Sequence, residues 1–168
     1  MQNEELFETI KNIRTYQISK LGNIRNRKTK EVVKQLINKG GYKYVELIIE
    51  DEIVIKDVHR LVALQFIENP ENKEIVDHKN NVRTNNNVDN LRWATHSENC
   101  FNTKIAKNNT STCKGVYFSK RRNNYYAQIG FNNKIIHLGS YKTFEEAKKV
   151  RQEKAAELFG EFLNESEK

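Results

Sequence analysis

Residues 75–99, IVDHKNNVRTNNNVDNLRWATHSEN, contain seven asparagines and two histidines around a single Asp77-His78 pair. Asparagine is unfavourable inside helices and strands, because its amide competes for the hydrogen bonds of the backbone. The segment therefore cannot fold as one long regular element. Its composition indicates that a functional site is specified here.

The residues before this segment predict three short regular elements and a hairpin. Residues 16–25 alternate apolar and polar side chains around Gly22-Asn23, which favours a hairpin, and residues 42–49 and 53–58 are strand-like. The apolar period then becomes helical from Val58 to Phe66, and the helix should end before Pro70.

The last third of the chain has the most regular pattern. Residues 115–119, 125–130 and 134–139 are strand-like runs separated by asparagine-containing turns, and a helix should follow Thr143, which forms a capping box with Glu146. The chain is thus expected to be an α+β protein. It should have a small β-rich N-terminal unit, a central strand-and-helix unit, and a C-terminal three-stranded antiparallel sheet packed on one helix.

Charge divides unevenly along the chain, whose net charge is +7. Residues 1–45 hold 10 Lys or Arg against 4 acidic residues, residues 46–102 hold 6 against 11, and residues 103–168 hold 13 against 7. Within residues 103–142 there are eight basic residues and no acidic residue. Because a generic solvated surface would mix both signs, this segregation indicates a polyanionic partner such as nucleic acid.

Other function classes find no support in the composition. The two cysteines, Cys100 and Cys113, are isolated, which argues against a structural zinc site or a disulfide framework. No apolar run could span a bilayer, and the N-terminus lacks the order of a signal peptide. We therefore expect a soluble cytoplasmic protein with no membrane association.

The open face of the C-terminal sheet is a candidate nucleic-acid surface. One face can be covered by the helix, and the other face and its turns would present basic and aromatic side chains to a duplex. These are Lys120, Arg121, Arg122, either Tyr125 or Tyr126, and Gln128. For the arginines, attraction to phosphates is expected before the reading of a particular base.

Asp77 and His78 supply the chemistry needed to cleave a phosphodiester. Such cleavage needs a base to activate water and a cation to neutralise developing charge, and adjacent residues of a strand point to opposite sides. Thr95 and Glu98 form a capping box that should begin a helix, with Asn99 one turn inside it. A carboxylate and an amide oxygen suit Mg²⁺ better than zinc, while His96 is the rival ligand on the same helical face.

These residues resemble the HNH family of homing endonucleases. The resemblance rests on the runs VHRLVA (58–63), FIENPEN (66–72) and VDH (76–78), and on Asn86, Asn87, Val88, Asn90, Leu91, Trp93, Glu98 and Asn99. It implies a ββα-metal nuclease core with one divalent cation, Mg²⁺ or Mn²⁺, in each active site. It further implies Asp77 and Asn99 as metal ligands, His78 as general base, and Asn90 as the catalytic-site asparagine that braces the loop. Many members of the family have histidine where Asn99 stands.

The two flanks resemble known companions of such nucleases. Residues 16–25 with Gly41-Tyr42 look like a nuclease-associated modular DNA-binding motif, for which Arg25, Arg27 and Lys28 are the candidate contacts. Residues 115–160 look like the Apetala/ethylene-response-factor DNA-binding domain. The expected organisation is an N-terminal motif at 1–50, a nuclease core at 51–106, a linker at 107–113, and an Apetala-type domain at 114–164.

The function implied is a site-specific, homing-type DNA endonuclease acting on double-stranded DNA without an obligate protein partner. Two other classes stay open: a DNA-binding regulator with an inactive nuclease core, and an RNA-binding module, since aromatic-bearing sheets also stack single-stranded bases.

Overall fold

The computed structural model describes residues 5–105, 109, 111–132 and 134–167, which form two compact units that meet in sequence at residues 94 and 95. Its helices are α1 (Val58–Phe66), α2 (His96–Phe101) and α3 (Phe144–Phe159). Its strands are β1 (Phe7–Ile10), β2 (Ile13–Ser19), β3 (Ile24–Asn26), β4 (Leu36–Ile37), β5 (Lys43–Ile49), β6 (Glu52–Asp57), β7 (Ile75–His78), β8 (Leu91–Ala94), β9 (Val116–Ser119), β10 (Asn124–Phe131) and β11 (Lys134–Tyr141). Within the described ranges no helix combines the length and apolar character needed to cross a membrane.

The first unit contains three antiparallel sheets, in the orders β1-β2-β3, β4-β5-β6 and β7-β8. The predicted hairpin is confirmed as β2 and β3, and the predicted strand pair as β5 and β6, which turn at Glu50 and Asp51 with positive φ angles. The helix predicted from Val58 is α1. Strands β1 and β4 were not predicted, because runs of four and two residues are too short to establish an alternation.

One hydrophobic core serves the whole of the first unit. Its N-terminal contributors include Ile18, Ile24 and Leu47, and the later segment adds side chains from α1, β7 and β8, among them Val62 and Trp93. Trp93 donates from its indole nitrogen to the Ile67 carbonyl at 3.1 Å. The two halves of the unit are therefore stabilised by burial against each other.

The second unit is the three-stranded antiparallel sheet, in the order β11-β10-β9, with α3 packed on it. This confirms the predicted C-terminal fold. Thr143 and Glu146 form the predicted capping box at the start of α3. The side chain of Tyr125 packs on the helix side, 5.9 Å from the ring of Phe144, whereas Tyr126 stacks on Tyr117 at 5.5 Å.

The short helix α2 belongs to the second unit. Thr95 and Glu98 form the predicted capping box, and Phe101 stacks on Phe159 at 4.0 Å and on Phe131 at 5.9 Å. Of the predicted linker at 107–113, residues 107, 108 and 110 lie outside the described residues. The sequence-based domain limits stay predictions.

Candidate active site

The antiparallel pair of β7 and β8 carries the Asp77-His78 pair. Asp77 lies opposite Arg92 and His78 opposite Leu91 in the register of the two strands. Both side chains are buried, with 6% and 4% of their surface exposed. The predicted strand that carries these two residues is thus present. Its pleat directs their side chains to opposite faces of the two-stranded sheet.

Arg92 binds the Asp77 carboxylate. Its Nε donates to Oδ2 at 2.9 Å and its Nη2 lies 2.8 Å from the same oxygen. Through these two contacts with Oδ2, the guanidinium fixes the orientation of the carboxylate. A buried ion pair of this kind offsets part of the cost of removing the carboxylate from water.

His78 contacts Asn86 from the asparagine-rich loop. The imidazole Nε2 lies 3.0 Å from Asn86 Oδ1, and both side chains are buried. Burial lowers the pKa of His78, while the hydrogen bond to Asn86 and the charge of Asp77 act in the opposite direction. The lowered pKa favours the neutral imidazole, which is the form that accepts a proton.

A second histidine packs beside the first. The ring of His59 lies 5.3 Å from that of His78 and 5.1 Å from that of Tyr42. Burial, together with the charge of the neighbouring His78, lowers the pKa of His59 to about 4. Arg83 places its guanidinium 4.9 Å from the centre of the Tyr42 ring and donates to the Gly40 carbonyl at 2.6 Å. The His59 side chain thus packs inside the first unit.

Asn90 spans the loop that connects β7 to β8. Its Nδ2 donates to the Asn85 carbonyl at 2.8 Å, and its Oδ1 accepts from the backbone N–H of Asn80 at 3.1 Å. Its own carbonyl accepts from the N–H of Lys79 at 2.8 Å. These contacts are the bracing that the sequence predicts for Asn90, whereas its catalytic part stays a prediction.

The predicted metal ligands lie on two different elements. Asp77 is on β7 in the first unit, and Asn99 is half-buried on α2 in the second, where the rival ligand His96 is exposed. The described residues include no cluster of three or more His, Cys, Asp or Glu side chains suited to a metal. A carboxylate with an amide oxygen needs no such cluster, and this hard-oxygen donor set fits Mg²⁺ or Mn²⁺.

The N-terminal candidate contacts lie on β3 and just after it: Arg25 is within the strand, and Arg27 and Lys28 follow it. Arg27 and Lys28 are exposed, whereas Arg25 is half-buried and is already engaged within the unit. Its Nε donates to Gln17 at 3.0 Å, and its guanidinium lies 3.9 Å from the centre of the Phe7 ring. Arg27 and Lys28 are therefore the more available of the three for a phosphate.

The C-terminal candidates lie on the open face of the sheet and at its first turn. Lys120, Arg121 and Arg122 are exposed, and Arg122 donates to the Tyr126 hydroxyl at 3.2 Å. Tyr126 and Gln128 are half-buried on β10. The structure thus selects Tyr126 over Tyr125 for the open face, and it places basic and aromatic groups together there.

Two contacts of the site were missed by the sequence reasoning. The Asp77–Arg92 pair could have been found from the strand register, once 75–78 and 91–94 were aligned as neighbours. The Asn86–His78 contact had no such signal, since nothing in the run Asn85, Asn86, Asn87 distinguishes its members.

Comparison with known proteins assigns families to two segments of the chain. The HNH endonuclease family matches residues 56–100, and the NUMOD4 motif matches residues 5–48. An uncharacterized HNH endonuclease of Acanthamoeba polyphaga mimivirus is 42% identical over 93 residues, which is 54% of this chain and 23% of that protein. DNA endonuclease I-HmuI of Bacillus phage SP01 is 33% identical over 108 residues, which is 64% of this chain and 62% of that protein.

A solved structure described as DNA binding and cleavage by the HNH homing endonuclease I-HmuI superposes with a TM-score of 0.53 at 35% identity. It covers 56% of this chain and 55% of the other. The chain spans less than two thirds of the length of each of these relatives. Residues 5–48 are therefore a NUMOD4 motif, residues 56–100 are an HNH endonuclease domain, and the chain is homologous to the homing endonuclease I-HmuI.

Proposed function

We propose that the protein is a site-specific DNA endonuclease of the homing type that hydrolyses phosphodiester bonds of double-stranded DNA. The observation that carries the proposal is the buried His78 next to Asp77 on β7, inside the segment that matches the HNH endonuclease family. DNA as the substrate is supported by the homology to a DNA endonuclease and by the NUMOD4 motif.

In this proposal His78 is the general base. Its neutral imidazole, favoured by burial, takes a proton from the attacking water, and the oxygen of that water attacks phosphorus. Asn90 keeps the loop between β7 and β8 in one conformation while this occurs. The products are a 5′ phosphate and a 3′ hydroxyl.

Asp77 and Asn99 are the proposed ligands of one divalent cation, Mg²⁺ or Mn²⁺. When bound, the cation would stabilise the charge on the phosphate and on the leaving 3′ oxygen. Arg92 orients the Asp77 carboxylate from the neighbouring strand. Asn99 replaces the histidine of many relatives, so an oxygen-preferring cation is expected rather than zinc.

The two flanks would supply affinity and register on the duplex. Arg27 and Lys28 are the exposed N-terminal candidates, with Arg25 beside them. The C-terminal candidates are Lys120, Arg121, Arg122, Tyr126 and Gln128, and we propose that the unit carrying them is an Apetala-type DNA-binding domain. Phosphate contacts from such residues fix the register of the protein on the duplex, so the catalytic core itself needs little sequence specificity.

The decisive experiment incubates the protein with a supercoiled plasmid library carrying genomic fragments. Reactions contain Mg²⁺, Mn²⁺ or EDTA, and the ends of every break are sequenced. Breaks that require the metal and share a flanking sequence are expected. Asp77→Ala should abolish them, and 5′ phosphate ends should be recovered.

A second variant separates chemistry from binding. His78→Ala should bind the cleaved sequence with an unchanged salt dependence and should not cut it, because the imidazole contributes to the reaction and not to phosphate contacts. Equal loss of binding and cutting would make His78 a structural residue. Binding without cleavage by the unaltered protein would favour the DNA-binding regulator, and preference for single-stranded RNA would overturn the proposal.

A further inference from the structure

The asparagine loop contains one side chain that faces the proposed general base. Asn86 Oδ1 lies 3.0 Å from His78 Nε2, and the Asn86 side chain is 4% exposed. A carbonyl oxygen can only accept a hydrogen bond, so the imidazole nitrogen must donate. The contact therefore selects the tautomer of His78 that carries its proton on Nε2, which leaves Nδ1 unprotonated.

The Asn86 side chain makes its contact with His78 through Oδ1. Asn86 Nδ2 is buried and has no hydrogen-bond partner among the described residues. A buried amide nitrogen without a partner costs free energy. Because Nδ2 makes no hydrogen bond among the described residues, the hydrogen bond that fixes the amide is the one between Oδ1 and His78.

The NUMOD4 motif packs directly against Asn86. The turn between β2 and β3 brings Gly22 against it: a Cβ added at Gly22 would lie 3.0 Å from Asn86 Cβ and 3.2 Å from the Asn86 carbonyl oxygen. Gly22 also has a φ of +86°, which side-chain-bearing residues rarely adopt. Two residues further along the loop, the Val88 N–H donates to the Lys20 carbonyl at 2.8 Å.

We propose that Asn86 is a positioning residue for the general base. Its side-chain oxygen accepts a hydrogen bond from His78 Nε2. The Gly22 turn of the N-terminal motif packs against Asn86 and keeps its side chain in that position. Nδ1 of His78 then takes the proton of the attacking water, and the imidazolium so formed carries protons on both nitrogens, with the Nε2 proton still donated to Asn86. The inference rests on the proposed nuclease function for its catalytic part, whereas the hydrogen bond and its geometry do not depend on that function.

Nitrogen-15 NMR of the uniformly labelled full chain tests the hydrogen bond without any assay of cleavage. At pH 8, the buried and bonded Hε2 of His78 should exchange slowly with water and give an observable signal coupled to Nε2, assigned by its absence in His78→Gln. Asn86→Ala should lose this signal. Asn86→Asp should keep it, because the accepting oxygen remains and the replaced Nδ2 makes no hydrogen bond among the described residues.

Kinetics then tests the consequence for cleavage. Asn86→Ala should lower kcat about 10- to 100-fold, as is typical when an outer group that orients a reacting side chain is removed, with KM and DNA affinity unchanged. The matched control is Asn85→Ala, which changes the neighbouring side chain but keeps the backbone carbonyl that Asn90 uses. Melting temperatures of both variants establish that the fold is retained.

Each outcome bears on the proposal. A His78 signal on Nδ1, a signal that survives in Asn86→Ala, or cleavage by Asn86→Ala as fast as by Asn85→Ala would overturn it. If Asn86→Ala fails to fold, Asn86→Asp decides, and loss of the His78 signal in folded Asn86→Asp would count against the inference. If the unaltered protein cuts no DNA, the proposed function fails, and the NMR result still decides whether Asn86 fixes His78.

Discussion

Arg92 and Asp77 face each other as directly paired residues of β8 and β7, and both contacts from the guanidinium end on the same carboxylate oxygen, at 2.9 and 2.8 Å. Both side chains are buried, so water screens the attraction between their charges only weakly. The pair therefore links the stability of the two-stranded sheet to the orientation of a proposed metal ligand.

Arg92→Met should lower the free energy of unfolding by about 3 kcal/mol, because it leaves the Asp77 carboxylate buried without its charged partner. Denaturant titration measures the change. Arg60→Met is the matched control: Arg60 is exposed, and its loss should cost below about 1 kcal/mol. Adding Asp77→Asn to Arg92→Met should recover part of the loss, and an unchanged double variant would show that the ion pair is not the cause.

His59 predicts how stability depends on pH. Its pKa is about 4 in the folded protein and 6.5 in a solvated histidine, so between these values the unfolded chain binds more protons than the folded one. Stability should be fully present above pH 6.5 and should fall progressively towards pH 4, by about 3 kcal/mol in total from this residue.

Urea unfolding between pH 4 and pH 8 measures this dependence. His59→Gln, which does not titrate in this range, should flatten the curve. A variant with the same slope as the unaltered protein would assign the pH dependence to other groups.

The exposed basic turn of the second unit predicts a salt dependence. If Arg121 and Arg122 contact phosphates, replacing both with alanine should reduce the slope of log affinity against log salt by about 2, since each contact contributes about 0.9. The control pair, Lys148→Ala with Lys149→Ala, removes the same charge from an exposed face of α3 on the other side of the sheet. Equal slopes for the two double variants would exclude the turn as a DNA contact.

Gly115 predicts a local stability effect in the same unit. Its φ is +67°, and an added Cβ would lie 2.1 Å from the Gln128 carbonyl oxygen. Gly115→Ala should therefore lower the melting temperature, with a cost of about 1 to 3 kcal/mol. Gly130→Ala is the control, because the space at that position is open within 4 Å. Similar melting temperatures for the two variants would contradict the close approach.

The elements that the sequence predicted correctly are those specified by local chemistry. The capping boxes at Thr95 and Thr143 and the alternation of β10 each depend on residues only a few positions apart. The same holds for Asp77 and His78, which follow each other on one strand.

What could not be predicted depends on distant packing. Asn86 is selected over Asn85 and Asn87 by the turn at Gly22, which is more than sixty positions away in sequence. The burial of His59 against Tyr42 likewise requires knowing that β5 and α1 pack together. Single-sequence patterns carry no information on such pairings, whereas an aligned strand register would have supplied the Asp77–Arg92 pair.

The single hydrophobic core of the first unit has a consequence for how such proteins are recombined. The side chains of this core come from both Ile10–Leu47 and Val58–Trp93. A crossover near residue 50 would therefore combine the two halves of the core from different parent proteins, whose side chains do not pack together. Most such chimaeras would fold poorly, whatever target they were built to reach. The NUMOD4 motif and the strands of the nuclease domain are thus expected to be inherited as one block.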